Sequence, residues 1–268
     1  MALTSRDQLV AALASASDIP FYKASITAVA GFFYSLFRTA AGMPAASTTA
    51  TPTSTGRALD RTDPGAIPIP SAGSNTLYLA AAEIVGATVG GVLLADRLVE
   101  YGGLSGNLAT AQTVSAVSLP SRAGTGVGCE LWLEIYTALG ATASATVTAS
   151  YTNSAGVSGR TATLVGGIPT SIPANRGMRF ALQAGDVGVQ SVQSVTLGTA
   201  TGTAGNFGLT IRRPIQHLPM VAANIPQIFG YAETALSVIP TDACLEMLVL
   251  ATTTSTGALQ GMLAVAQG

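Results

Sequence analysis

Charged side chains are scarce in this sequence. Asp, Glu, Lys and Arg make up 9% of its 268 residues, where a typical soluble domain has about 25%. The formal net charge is −1, and Lys23 is the single lysine among 12 basic residues. Because no basic field exists to attract phosphates, the composition argues against direct binding to nucleic acid. The hydrophobic fraction of 48% argues against disorder.

Histidine and cysteine are almost absent, which limits the chemistry open to the chain. His217 is the single histidine, and Cys129 and Cys244 lie well apart from it, so the close spacings of zinc ligands are missing. Residues 103–106 lack the spacing of a nucleophile elbow, and residues 124–128 lack that of a dinucleotide fingerprint. We therefore predict no catalytic residue, no metal site and no cofactor. His217 is assigned to a loop or the core, and both cysteines are predicted to be buried thiols.

Long apolar runs and secretory signals are also missing. The best apolar stretch, Ala24 to Leu36, is shorter than the roughly 20 residues that a spanning helix needs. Residues 1–8 lack the basic stretch followed by an apolar run that marks a signal peptide. These patterns predict a chain that folds in a cytoplasm and has no membrane partner.

The first 42 residues carry helical signals. Thr4 and Asp7 resemble a capping box, and the apolar spacing after them predicts a short helix from about Ser5 to Ser15. A second pattern starts at Asp18-Ile19-Pro20, because Asp can cap a helix and Pro tolerates its first turn.

Apolar residues of this second pattern recur at helical spacing until Gly42: Ile26, Val29, Ala30, Phe33 and Phe37. Phe32 and Tyr34 lie elsewhere around the same helix. A helix that is apolar on most sides is usually buried against a neighbouring element or subunit. We therefore identify Phe32, Tyr34 and Phe37 as candidate interface residues and residues 1–42 as a helical N-terminal segment.

Residues 43–74 change to a composition of Pro, Ala, Ser and Thr. Five prolines in this stretch exclude a helix or a central strand. The segment is predicted to be a linker or an extended arm. A mobile tether and an arm that lies ordered along a partner are both compatible with a stiff, Pro-rich chain.

Residues 75–268 show the period of two that is typical of strands. Leu131, Leu133 and Ile135 alternate with polar and aromatic neighbours, and similar patterns cover residues 145–152, 178–182 and 207–211, with Gly-rich turns between them. The segments 245–250 and 259–265 resemble a closing hairpin. The pattern predicts a mainly β chain with a jelly-roll-like antiparallel β-sandwich over 75–268, and an Ig-like sandwich is the competing topology.

Trp132 and Tyr136 fall on the strand face opposite Leu131. Large aromatic side chains outside a core are common anchors at protein interfaces, so both are candidate interface residues; the alternative is a second core layer. Glu130 and Glu134 share that face, which favours a solvated or subunit-facing surface over an acid–base pair.

Several segments between Leu79 and Gly268 resemble virion structural proteins of tailed bacteriophages, most closely capsid decoration (cement) proteins. The resemblance lies in the order of short segments: Leu94–Leu98, Gly102–Ser105, Glu130–Ala141, Ser150–Asn153, Leu182–Asp186, Val192–Val195 and Gly205–Leu209.

This resemblance implies a non-enzymatic β-sandwich on the outer surface of the capsid, made in the host cytoplasm. It implies a homotrimer as the oligomeric state, the phage major capsid protein as the partner and stabilisation of the head as the role. Two alternatives remain open: a tail or baseplate component, and a receptor- or carbohydrate-binding sandwich supported by Trp132, Tyr136 and Tyr151.

Overall fold

The computed structural model describes residues 3–73 and 75–268 and is mainly β, which confirms the predicted class. Its sheets are antiparallel, consistent with a jelly-roll-like β-sandwich. Residues 1, 2 and 74, which fall within the predicted helical segment and arm, lie outside the described residues.

The described residues form seventeen strands, two α-helices and one turn of 3₁₀ helix. The helices are α1 (Arg6–Ala14) and α2 (Tyr231–Thr234), and the 3₁₀ turn is Ser121–Ala123. The strands are β1 (Ser17–Lys23), β2 (Phe33–Ser35), β3 (Gly42–Met43), β4 (Arg57–Ala58), β5 (Leu77–Gly86), β6 (Gly90–Glu100), β7 (Gln112–Thr113), β8 (Glu130–Thr137), β9 (Val147–Asn153), β10 (Arg160–Leu164), β11 (Arg176–Ala181), β12 (Val189–Leu197), β13 (Asn206–Met220), β14 (Gln227–Phe229), β15 (Val238–Ile239), β16 (Leu245–Ala251) and β17 (Leu259–Gln267).

The chain divides into two compact units. Unit 1 comprises the residues up to Thr48 together with Asp60–Asp96 and Ile215–Gly268, and unit 2 comprises Thr49–Leu59 and Arg97–Pro214. The predicted boundaries after residues 42 and 74 do not coincide with these units. The reason is that the two long strands β6 and β13 each run from one unit into the other, so the units interleave along the sequence.

Unit 1 is a sandwich around one apolar core. A six-stranded sheet has the order β14-β5-β17-β1-β3, with β15 also on β5, and faces the strands β2, β16 and β6. Both sides supply the core, which contains Phe21, Leu79 and Leu263 from the six-stranded sheet and Leu94 and Val249 from the other.

Unit 2 is built on the strand order β13-β8-β11-β10-β9-β12-β7. Alternating residues of these strands form its core, as the period of two predicts. Examples that are fully buried are Leu133, Ala149, Val192 and Leu209. The turn at residues 154–156 joins β9 to β10 in an antiparallel hairpin, in agreement with the Gly-containing turn predicted after residue 152.

The predicted first helix is present as α1, but its cap lies one residue later than expected. Ser5 is the N-cap, and its hydroxyl accepts a hydrogen bond from the Gln8 backbone amide at 3.2 Å. The Gln8 side chain accepts in return from the backbone amides of Thr4 and Ser5. Gln8 has the length to reach back to these amides, whereas the side chain of Asp7 is shorter than that of the usual capping-box partner.

The predicted second helix over residues 18–42 is wrong. Residues 17–23 form β1, which pairs with β17 over its whole length, and residues 33–35 form β2 on β16. Pairing with strands more than 200 positions later overrides the local helical pattern. Pro20 is tolerated because β3 pairs only with Tyr22 and Lys23, which leaves that side of β1 open at Pro20.

The predicted arm is extended, but it packs against its own chain. Arg57 and Ala58 pair with β6, and the Ile67 amide donates to the Leu245 carbonyl at 2.9 Å. Ile67 and Ile69 are buried in the core of unit 1. The segment is therefore neither a tether nor an arm reserved for a partner, because its few apolar residues are needed inside.

The predicted closing hairpin is also wrong. β16 pairs with β2 and β6, whereas β17 pairs with β5 and β1. Leu245 and Val249 of β16 and Leu263 of β17 meet instead in the core of unit 1. The alternating apolar residues of two strands can be buried in either of two ways: the strands pair side by side in one sheet, or they face each other from the two sheets of a sandwich.

Candidate functional site

The aromatic residues proposed for an interface near the N-terminus lie mostly inside the protein. Tyr34 and Phe37 are 0% and 1% exposed, and the Tyr34 hydroxyl accepts a hydrogen bond from the Val29 amide at 2.8 Å. Phe32 is half-buried and packs against a small cluster that includes Tyr34. Tyr34, on β2, and Phe37, two residues after it, are therefore buried within the chain, whereas the predicted helix would have exposed them to a partner.

Trp132 and Tyr136 form a second layer of packing in unit 2. Trp132 is 2% exposed, and its indole donates to Glu130 at 3.0 Å. Tyr136 is half-buried and donates to the Tyr101 carbonyl at 3.0 Å. Tyr151 is fully buried. Burial of Trp132 and Tyr151 removes most of the aromatic support for a carbohydrate-binding surface.

The same face of β8 carries a buried cluster of charges. Glu134 contacts Arg97 of β6 at 2.7 Å and also binds Arg212 of β13. Glu100, three residues after Arg97, accepts from Arg97 at 2.9 Å and from Arg57 of β4 at 2.9 Å. Four of these five side chains are essentially inaccessible to water; only Arg57, at 32%, is partly exposed.

The arrangement of strands explains how such a cluster can form. β6, β13 and β8 are successive strands of one sheet, and Arg212, which lies opposite Glu130, is on the same face of the sheet as Glu134. The residue opposite Glu134 on β13 is Gly208, which lets the backbone of Tyr101 and Gly102 approach this part of the strand closely. Arg212 also lies over the Trp132 ring, 5.6 Å from its centre.

This charge cluster, named here the Glu134 cluster, was not predicted from the sequence. The parity of β8 places Glu134 on the side that faces away from the core residue Leu133, and that is correct. The expectation of a solvated or subunit-facing surface is wrong for Glu134, because it binds the buried Arg97 and Arg212, whereas Glu130 is partly exposed. A signal was present in the sequence: charged residues within otherwise apolar strands, as in residues 92–100 and 131–136.

A second polar cluster joins two loops at one end of unit 2. Asp186 accepts hydrogen bonds from Arg160 at 2.9 and 3.0 Å, from Asn153 at 2.7 Å and from the Tyr151 hydroxyl. The Arg160 hydrogen bonds, followed by that of Tyr151, lower the pKa of Asp186 to about 2. Burial, reinforced by the bond to Asp186, raises the pKa of Tyr151. The cluster therefore ties residues 182–187 to β9 and β10.

We expect unit 2 of Asp186→Asn to lose less stability than that of the wild type when the pH is lowered. The pKa of Asp186 in the folded chain is about 2 against an ordinary value of 3.8, so its contribution is complete above about pH 4 and is lost as the pH falls towards 2. Thermal unfolding followed by the fluorescence of Trp132, the single tryptophan, should show a smaller loss between pH 4 and 2 in the variant. Asp242→Asn, an exposed acid in unit 1, is the control, and equal slopes in the wild type and Asp186→Asn would refute the expectation.

The remaining candidate groups for chemistry are dispersed. His217 lies on β13 and is exposed, not in a loop or the core as predicted, because the strand continues past Pro214 to Met220 with the imidazole above Gly91. Cys129 and Cys244 are buried thiols, as predicted. Within residues 3–73 and 75–268, no group of three His, Cys, Asp or Glu side chains could hold a metal ion. The helices described are also too short to cross a membrane.

Charged residues lie both inside the protein and on its surface. Of the 12 basic and 13 acidic residues, eight are buried: Lys23, Asp96, Arg97, Glu100, Glu134, Arg176, Arg212 and Glu246. Seven are exposed: Arg6, Asp7, Asp18, Asp60, Arg179, Glu233 and Asp242. The solvent-facing surface is therefore as poor in charge as the composition of the chain, in which only 9% of residues are charged.

Comparison with known proteins gives no family. No protein-family model and no curated protein matches the chain. Among solved structures, the VP2 subviral particle of infectious bursal disease virus aligns with 94% of this chain and 80% of its own, with 7% identity and a TM-score of 0.23. These values do not place the chain in a known family.

Proposed function

We propose that the chain is a non-enzymatic structural protein of a tailed-phage virion, which binds the outer surface of the major capsid protein lattice and stabilises the head. The observation that carries this proposal is the surface with few charges. A monomeric soluble protein keeps charged groups outside for solubility, whereas depletion of charge is typical of surfaces that other proteins cover.

Two further observations support the proposal. The resemblance to decoration proteins extends over the segments from Leu79 onwards, which contribute to both β units. The two charge clusters stabilise the fold internally, and neither opens a cleft with a nucleophile beside a base, which an enzyme would need. A homotrimer fits this role because its three copies would each make a weak contact with the symmetric capsid lattice, and the three contacts together would bind more tightly than one.

We expect phage heads that lack this protein to break at a temperature several degrees lower than complete heads. A protein that binds only the intact lattice stabilises it by mass action, so adding the purified protein back should restore the higher temperature in a concentration-dependent manner. Scanning calorimetry of purified heads with and without the protein measures this difference. Equal breakage temperatures, or recovery of the protein only with purified tails, would exclude the decoration role.

A further inference from the structure

The six-stranded sheet of unit 1 has one face in the core, and α1 covers only part of its other face, at Ala264 and Ala266. On β1, Ile19 and Phe21 point inwards, so Pro20 and Tyr22 point outwards. The strand register extends these two positions into two rows across the sheet. One row is Pro20, Met262, Glu83 and Ile228, and the other is Met43, Tyr22, Gln260 and Val85. These eight residues are named the outer face.

The outer face is unusually apolar for the solvent side of an antiparallel sheet, which is normally polar. Ile228 is 73% exposed, Met43 50% and Tyr22 44%. Glu83 is the single charged residue in the two rows. Unit 2 offers a comparison within the same chain: the outward residues of β9 and β10 are hydroxyl-bearing, with Ser150 opposite Thr161 and Thr148 opposite Thr163. The outward face of β9 and β10 therefore does not share the apolar character of the outer face.

The size of the outer face limits what can cover it. Each row crosses four strands about 4.8 Å apart, and two rows about 6.8 Å apart along the strands give an area of roughly 260 Å². A stable pairwise interface buries about 800 Å² on each partner. The outer face alone is too small to hold a lasting dimer, but it suits one of several contacts with a surface that repeats the same partner many times.

Charge complementarity defines that partner further. Glu83 lies between Ile228 and Met262 in its row, and it forms no ion pair with any described residue. Covering it with an apolar surface would desolvate the carboxylate at a considerable cost. A basic side chain opposite Glu83 would offset this cost and fix the orientation of docking.

We propose that the outer face is the surface through which the chain docks on the capsid lattice, against an apolar patch of the capsid subunit with one Arg or Lys opposite Glu83. This inference rests on the proposed function and adds the contact surface to it. In this proposal, Ile228, Tyr22 and Met43 are exposed in the free chain because an apolar patch on a capsid subunit covers them in the virion.

Binding to purified heads assembled without this protein tests the proposal. The wild type, Ile228→Glu and Glu83→Lys are compared by co-sedimentation over a range of protein concentrations. Both variants are expected to bind at least 10-fold more weakly, because each places a charge that the partner surface cannot accommodate. Thr163→Glu, an exposed change on the polar sheet face of unit 2, is the matched control and should bind like the wild type.

Unchanged thermal unfolding of the free variants would show that any loss of binding comes from the surface and not from misfolding. Wild-type protein that fails to bind heads would overturn the proposed function itself. Wild-type binding that Ile228→Glu and Glu83→Lys both retain within twofold would overturn only the outer face. A change in the solution mass of the protein on Ile228→Glu would assign the face to a second copy of the chain and also overturn the proposal.

Discussion

Glu134→Ala is expected to destabilise unit 2 by about 3–5 kcal/mol, the usual cost of removing one partner from a buried ion pair. Glu134 binds both Arg97 and Arg212 where water does not reach. Its removal leaves two buried guanidinium groups without the carboxylate that they share. The substitution also leaves a cavity, which adds to the cost.

Urea unfolding followed by Trp132 fluorescence would measure this effect, since Trp132 lies in the same unit and packs under Arg212. Arg179→Ala is the matched control, because it removes the ion pair to Glu130 from a residue whose side chain is 58% exposed. Exposed pairs contribute about 0–1 kcal/mol. Similar losses for Glu134→Ala and Arg179→Ala would show that burial does not govern the energetics of the Glu134 cluster.

The strands of unit 2 could be predicted from the sequence because their signal is local. In β8 and β9 the side chains alternate over seven or eight residues, and Gly-containing turns mark where strands end. The residues predicted to face the core there, such as Leu133 and Ala149, are buried. Pattern and structure agree in both strands because the alternation of side chains does not depend on which strands are the neighbours.

The N-terminal region could not be predicted in the same way. Residues 18–37 satisfy a helical spacing by coincidence, whereas their structure depends on β17 and β16, which are more than 200 residues away. Local periodicity carries no information about such partners. The same limit applies to β16 and β17, whose apolar alternation is identical for a hairpin and for two sheets that face each other.

The charge clusters illustrate a further limit. The alternation of side chains along β8 identifies the face that carries Glu134. Whether this face is exposed to solvent depends on Arg97 and Arg212, which belong to other strands. The sequence contains a clue only in retrospect, since charges within apolar strands are costly to bury unless they are paired. The outer face was missed for a related reason: its apolar residues come from five strands and are brought together only by the register.

Lys23→Met is expected to stabilise unit 1 by about 1–3 kcal/mol at pH 7, with allowance for partial solvation of the amine. Lys23 is 3% exposed, and its amine has no hydrogen-bond partner among the described residues. The flanking strands β3 and β17 contain no ionisable side chain. Burial alone therefore lowers the pKa of Lys23 to about 8, and methionine fills similar space without a charge.

The pH dependence separates this explanation from a packing effect. The pKa of Lys23 is about 8 in the folded chain against 10.5 ordinarily, so between pH 8 and 10.5 the unfolded chain binds more protons and the wild type gains stability as the pH rises. Lys23→Met should lack this gain, so its advantage should be full below pH 8 and shrink towards pH 10.5. Lys23→Arg, which keeps the charge, should be no more stable than the wild type. Calorimetric unfolding at pH 7 and pH 10 tests these expectations, and a Lys23→Met protein less stable than the wild type at pH 7 would show that the buried amine makes favourable contacts.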